Sequence, residues 1–255
     1  MSDLSKAFAR KALIPFITVG DPGIDTTEAI VRAMVGAGAD IIDLGLPFAD
    51  PVAEGPVVQE ADNRALAAGT NTDILFDMVE RVHADIDVPF IITSYLNPVF
   101  AYGVEAFMER CTKAGVCALC VPDMPYEEKG ELYDAAKSYG VNLVSAIAPA
   151  SEERIAMISS EAEGFITVMT SPGTTCKGHS NDVGELISFV RKSSDLPCVI
   201  DIAGIPDEII PQKVAVADGV IIGTEVVSII AEHGADSVQH VVDYITKLRA
   251  IIDKS

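Results

Sequence analysis

Short unbroken apolar runs alternate along this chain with stretches whose apolar residues recur at helical spacing. The runs fall at 13–19, 41–45, 90–95, 118–121, 143–147, 164–169, 198–202 and 219–223. Helical periodicity covers 26–35, 73–83, 104–113, 129–138, 183–192 and 237–252. A strand that is apolar at every position is one covered on both faces, as in a parallel sheet flanked by helices. First turns carry hydroxyls and carboxylates at Thr26-Thr27-Glu28 and Ser151-Glu152-Glu153, which predicts helix starts there.

No linker or low-complexity stretch divides the 255 residues. Eight strands alternating with helices in an unbroken chain predict a single (β/α)8 TIM barrel, one domain over 1–255. A doubly wound open sheet shares the local pattern and is the alternative fold. In a barrel the chemistry sits on the loops that follow the strands. Those positions hold the unusual residues. The second strand runs into Asp43-Leu44-Gly45-Leu46-Pro47-Phe48-Ala49-Asp50-Pro51-Val52-Ala53-Glu54-Gly55-Pro56. It places Asp43 at a strand end and holds Asp50 and Glu54 on a stiff, proline-rich loop. Two carboxylates facing one substrate can divide acid and base roles when their surroundings separate their pKa values. A lone strand-end carboxylate more often caps a helix or binds loop N–H groups; the whole segment argues for function.

Composition narrows the partners. The net charge of −20 opposes nucleic acid and anionic lipid, and opposes an anionic small substrate as well. A phosphate site here needs backbone N–H groups. The five cysteines, Cys111, Cys117, Cys120, Cys176 and Cys198, form no disulfide pattern. Strand alternation across Val116–Val121 is expected to put Cys117 and Cys120 on opposite faces, as core residues. His83, His233 and His240 read as surface or packing residues. No metal-ligand spacing and no glycine-rich nucleotide loop appears, so neither a metal nor a cofactor is expected. No apolar run reaches the roughly 20 residues of a membrane span, and the N-terminus lacks a signal-peptide core, so a cytoplasmic protein is expected.

Residues 12–22, Ala-Leu-Ile-Pro-Phe-Ile-Thr-Val-Gly-Asp-Pro, resemble the first strand of tryptophan synthase alpha subunits. Residues 43–59, 95–100, 121–125 and 217–223 are similar to the same family in order and spacing, as is the position of Thr175. The resemblance runs from residue 12 to about residue 227 and joins several motifs in register. It implies cleavage of indole-3-glycerol phosphate to indole and glyceraldehyde 3-phosphate. It assigns Asp43 to the glycerol hydroxyl and indole ring carbon, and Glu54 to the indole nitrogen. Phe16 and Tyr95 are expected to line the substrate cavity, and Thr175, Gly204, Gly223 and Thr224 to meet the phosphate. Pro47, Asp50 and Asn97 are expected to face a pyridoxal-phosphate-dependent beta subunit in an alpha2beta2 assembly.

Four departures from the family's pattern accompany this. The family has glutamate at the position of Asp43 and aspartate at that of Glu54, so one reach is a methylene shorter and the other longer. Misplacement on that scale can cost about 100-fold in rate. Cys176 stands where the loop after the sixth strand has a glycine. After the seventh strand, Asp201-Ile202-Ala203-Gly204-Ile205 aligns in two registers: one replaces glycines with Asp201 and Ala203, the other keeps Gly204 for phosphate. A family tyrosine on the sixth strand is Thr167 here. Lys177 and His179 in the loop 171–182 could add positive charge. That loop has few apolar anchors and is expected to order on ligand binding. Two other readings stay open: a non-catalytic alpha-like subunit that tunes a beta subunit, and a lyase or isomerase for a different phosphorylated substrate.

Overall fold

The computed structural model describes residues 4–169 and 182–255. Eight parallel strands close into a barrel in sequence order. They are β1 (Ala12–Thr18), β2 (Ile42–Gly45), β3 (Phe90–Thr93), β4 (Val116–Cys120), β5 (Asn142–Ile147), β6 (Ile166–Val168), β7 (Cys198–Asp201) and β8 (Gly219–Ile222). Closure comes from β1 pairing with β8, with Ala12 opposite Gly219 and Pro15 opposite Ile222. Each apolar run of the sequence is a strand, and the open-sheet alternative is excluded by this closure.

The helices are α1 (Ile24–Gly36), α2 (Pro56–Ala67), α3 (Thr72–His83), α4 (Leu96–Tyr102), α5 (Val104–Ala114), α6 (Gly130–Tyr139), α7 (Glu152–Ser160), α8 (Val183–Val190), α9 (Ile210–Val214), α10 (Thr224–His233) and α11 (Ser237–Ile252). Helix α3 shows why these segments fold as they do. Asn71 caps it by accepting the Ile74 N–H, Asp73 sits in the first turn and Arg81 in the last. Its buried face is Leu75, Phe76, Met78, Val79 and Val82, the spacing of one helical stripe. Ser151 caps α7 as expected, through the Arg154 N–H. The start of α1 differs: Gly23 is the cap residue, and Thr27 instead bonds the Gly20 N–H and the Gly23 carbonyl. Helices α2 and α4 lie outside the periodic segments of the sequence analysis; α2 opens on Pro56 behind Gly55 and buries Val58, Ala61, Asp62 and Ala65 on one face.

The core has two layers. Outward-facing strand residues such as Leu13, Ile42, Ile92, Leu119 and Ile200 pack against the helices. Inward-facing ones, including Ile14, Ile91, Ala118 and Val199, fill the barrel with Phe165. A short 3-10 helix, Leu4–Ala9, closes the lower end, where Phe8 lies 5.8 Å from Phe165. The Cys117 expectation needs correcting here. The β3–β4 register shifts between Phe90 and Ile91, so alternation breaks and Cys117 and Ala118 both join the inner cluster. His83 packs edge-on against Phe90, and His233 stacks on His240 at 3.7 Å.

Alternation places the site. One step above the apolar layer of Ile14, Ile91, Ala118 and Val199, the same strands turn Phe16, Thr93, Cys120 and Asp201 inward. On β2 the residue at this level is Asp43, opposite Phe16. The barrel is thus sealed by hydrocarbon below and lined by polar groups at the C-terminal mouth.

Candidate active site

Asp43 is 5% exposed and lies beside Thr93, whose hydroxyl oxygen is 2.8 Å from Oδ1 and 3.1 Å from Oδ2. Burial pushes its pKa up to about 7; the Thr93 hydrogen bond pulls down, and the charge of Glu54 pushes up. Asp43 is the second residue of β2, not its last as the sequence suggested, and a buried, inward-facing carboxylate there is poised near neutrality, where one group can both give and take a proton.

Glu54 arrives on the loop between β2 and α2. A turn through the Glu54 N–H to the Pro51 carbonyl fixes the backbone, and Gln59 Nε2 donates to the Glu54 carbonyl. Its pKa is raised, first by burial and then by the charge of Asp201 across the mouth. The charge of Glu54 thus acts on Asp43, and that of Asp201 on Glu54. Asp201 ends β7; its pKa is raised by desolvation between the walls and by Glu225, although its outer edge stays open to solvent.

Tyr95 is 4% exposed, and its hydroxyl oxygen accepts the Ala53 N–H at 3.0 Å. The ring lies 5.3 Å from that of Phe48. Tyr95 thus fixes the loop that carries Glu54, a tethering role the sequence reading did not include. Phe16 spans the mouth between two glycines. A Cβ on Gly45 would lie 2.5 Å from its Cζ, and one on Gly223 would lie 3.2 Å from its Cδ1. Its remaining neighbours are Val58, Ala61 and Val227.

Two groups escaped the sequence reading. Thr93 sits two residues beyond Ile91, the β3 partner of Asp43, so the strand register brings its hydroxyl to the carboxylate. Asp62, on α2, is 4% exposed and has a pKa raised to about 7, chiefly by burial and next by Glu54. It accepts the Phe48 N–H and meets the Thr18 hydroxyl at 3.4 Å. The loop bearing Glu54 is therefore held at Phe48 by Asp62 and at Ala53 by Tyr95. Beside it, Asp21 (2% exposed) pairs bidentately with Arg64, both contacts 2.8 Å, and joins the end of β1 to α2.

The remaining sequence-predicted residues are placed as follows. Gly204 has φ +70, and its N–H donates to Glu225 Oε1 at 2.6 Å. Gly223 caps α10 without a side-chain bond, and Thr224 is that helix's exposed first residue. Asp50 and Asn97 are exposed, with Val52 and Phe100 as exposed apolar neighbours. Pro47, in contrast, is buried within the chain, so it shapes the loop from inside and offers no free surface. Thr175, Cys176, Lys177, His179 and the loop that holds them lie outside the described residues. Two clefts, of about 370 and 360 Å³, share Arg191 and Asp218 at the opposite, N-terminal end of the strands. Lys11 there is bonded to the Val214 and Ala217 carbonyls and Arg191 to Asp218, so these polar groups serve the framework. Among the described residues no cluster of histidine, cysteine or carboxylate is arranged to hold a metal.

A closed parallel barrel with a buried carboxylate of raised pKa toward its C-terminal mouth, and a second on a clamped loop, has the layout of a barrel enzyme that works by acid–base chemistry. The family model described as "Tryptophan synthase alpha chain" matches residues 3–254. A relative from Lacticaseibacillus casei, "Tryptophan synthase alpha chain", is 38% identical over 99% of this chain and 96% of its own length. One from Alkaliphilus metalliredigens is 40% identical, covering 95% and 93%. Among solved structures, the alpha subunit from Legionella pneumophila superposes with a TM-score of 0.88 at 29% identity, covering all of both chains. Tryptophan synthase from M. tuberculosis in its aminoacrylate-bound form gives 0.86 at 27% identity, covering 99% and 100%. The chain belongs to the tryptophan synthase alpha chain family.

Proposed function

We propose that this chain performs the family's reaction, the lysis of indole-3-glycerol phosphate to indole and glyceraldehyde 3-phosphate, with Asp43 as the central acid–base group. The observation that carries the assignment is a buried, inward-facing carboxylate in β2, beside the Thr93 hydroxyl, with its pKa lifted to about 7. Protonated Asp43 gives its proton to the indole ring carbon that bears the glycerol chain. The resulting carboxylate takes the proton of the adjacent hydroxyl. The carbon–carbon bond then breaks, its electron pair restores the aromatic indole, and the oxygen becomes the aldehyde carbonyl. One proton enters and one leaves, so the enzyme returns to its starting state. Glu54 accepts a hydrogen bond from the indole N–H and stabilises the positive charge that the ring carries after protonation. Phe16 supports the indole ring, and Tyr95 holds the Glu54 loop. The N–H groups around Gly204 and Gly223, with Thr224 and Thr175, receive the phosphate.

The partner is a beta subunit that holds pyridoxal phosphate, in an alpha2beta2 assembly; this chain itself carries no cofactor in the reaction. Exposed Asp50 and Val52 sit on the loop after β2, and exposed Asn97 and Phe100 on α4, which follows β3, at the end of the barrel where a docked subunit would receive indole. Among the described residues no helix is long and apolar enough to cross a membrane. An acidic biosynthetic barrel of this kind belongs in the cytoplasm, as one domain over its whole length. Purified protein incubated with indole-3-glycerol phosphate should release indole, faster when a beta subunit is added; no release in either condition contradicts the assignment.

A further inference from the structure

Backbone donors at the end of β7 are already held by this chain's own carboxylates. The Ala203 N–H donates to Asp201 Oδ1 at 2.8 Å. One residue on, the left-handed backbone of Gly204 turns its N–H toward the start of α10, where Glu225 Oε1 accepts it at 2.6 Å. Glu225 lies in the first turn of that helix, which has no side-chain cap. A helix start beside an outward-turned N–H is a place where an anion settles, and here the anion is a side chain. The carboxylate is only partly satisfied. Its Oε2 is shut from solvent and has no partner among the described residues. None of the ion pairs among the described residues brings a lysine or arginine to Glu225, Asp201 or Glu54.

We propose that Glu225 is a specificity-determining residue whose carboxylate competes with the substrate's phosphate for the Gly204 N–H and the start of α10. The inference rests on the reading above that the substrate carries a phosphate. A phosphate dianion and the Glu225 carboxylate cannot share that niche. The side chain must swing out, and the charge it carries stays close by. Ligands with a phosphate therefore bind more weakly than the backbone geometry alone would allow, and ligands without one are indifferent to Glu225.

Calorimetric titration of glycerol 3-phosphate and of indole tests this without turnover. The proteins compared are wild type, Glu225→Gln, Glu225→Ala and Glu232→Gln, the last removing an equal charge from the exposed far end of the same helix. Removing one charge at contact distance should tighten glycerol 3-phosphate about tenfold in both Glu225 variants. Indole affinity should stay constant, and Glu232→Gln should stay within about twofold. The KM for indole-3-glycerol phosphate should fall in parallel, with kcat nearly unchanged. Unchanged or weaker glycerol 3-phosphate binding in Glu225→Gln overturns the proposal, as does equal tightening by Glu232→Gln or no binding to any variant. Glu225→Gln is close to isosteric and keeps the test readable if the alanine variant unfolds. Should the Glu225 variants bind more tightly while no form releases indole, the lysis assignment fails and this inference stands.

Discussion

Thr93 and Asp43, on adjacent strands, are joined at 2.8 Å by a hydroxyl-to-carboxylate hydrogen bond at the floor of the mouth. The bond favours the ionised form of a group that burial otherwise drives toward the neutral one. Replacing Thr93 with valine should therefore raise the Asp43 pKa. The limb of the pH–kcat/KM profile on which activity falls as Asp43 loses its proton should move to higher pH, so that more of the enzyme starts in the protonated form at neutral pH. A profile that keeps its position would separate Asp43 from the titration that controls the rate.

Asp43 and Asp62 also make stability depend on pH. Both have folded-state values of about 7, well above the ordinary aspartate value of 3.8. A raised carboxyl binds its proton more tightly folded than unfolded, so it stabilises the fold fully below the unfolded value. That contribution is lost as pH rises toward 7. The chain should lose thermal stability between about pH 4 and pH 7, and Asp62→Asn, which keeps the shape and removes the charge, should lose less. Melting curves across that range check it. An equal decline in both proteins would contradict it.

The tether at Tyr95 should show in turnover. Phenylalanine there leaves the Ala53 N–H without its acceptor and frees one end of the Glu54 loop. The expected cost is about 1–2 kcal/mol in stability and a larger fall in kcat than rise in KM, since the loop positions a group and contributes little to binding. Loss in KM alone would instead make Tyr95 a simple substrate contact.

Arg64→Met should destabilise the fold by roughly 2–4 kcal/mol, because it strands the buried Asp21 carboxylate at the end of β1. Chemical denaturation measures this. A change below about 0.5 kcal/mol would mean that Asp21 finds another partner.

The strands were legible because a parallel barrel covers both faces of every strand, which leaves unbroken apolar runs from Ala12–Thr18 to Gly219–Ile222. Asp43 was legible because a carboxylate interrupts an apolar run, and Glu54 because it stands on the stiff, proline-rich loop that follows. Other features depend on what lies beside a residue in space. Thr93 reads as an ordinary strand residue until the β2–β3 register brings it to Asp43. Asp62 stayed hidden because its contacts with Thr18 and Phe48, made from the buried face of α2, follow from how that helix packs and leave no mark in its sequence. The Gly204–Glu225 bond links residues 21 positions apart, across the top of β8. Cys117 was misread because a register shift, which leaves no trace in hydropathy, breaks the alternation.

Exchange of the two carboxylates offers a sharper test of how the pair works. Asp43→Glu alone lengthens a side chain that is already buried beside Thr93, so overcrowding should lower activity. Glu54→Asp alone should weaken the contact to the indole nitrogen. The two changes together should recover much of the loss, a non-additivity of about 1 kcal/mol or more, because both act on one substrate. Simple additivity in steady-state kinetics would show that the side chains work independently.

The central claim is that Asp43 moves the proton. The measurement that bears on it most directly is the single-turnover rate of indole release from indole-3-glycerol phosphate by wild type and Asp43→Asn. Asparagine keeps the shape and the Thr93 contact but cannot carry the proton. The account predicts indole from wild type, a loss of at least about 100-fold in Asp43→Asn, and unchanged substrate binding. Equal rates from the two proteins, whether both active or both zero, would contradict it.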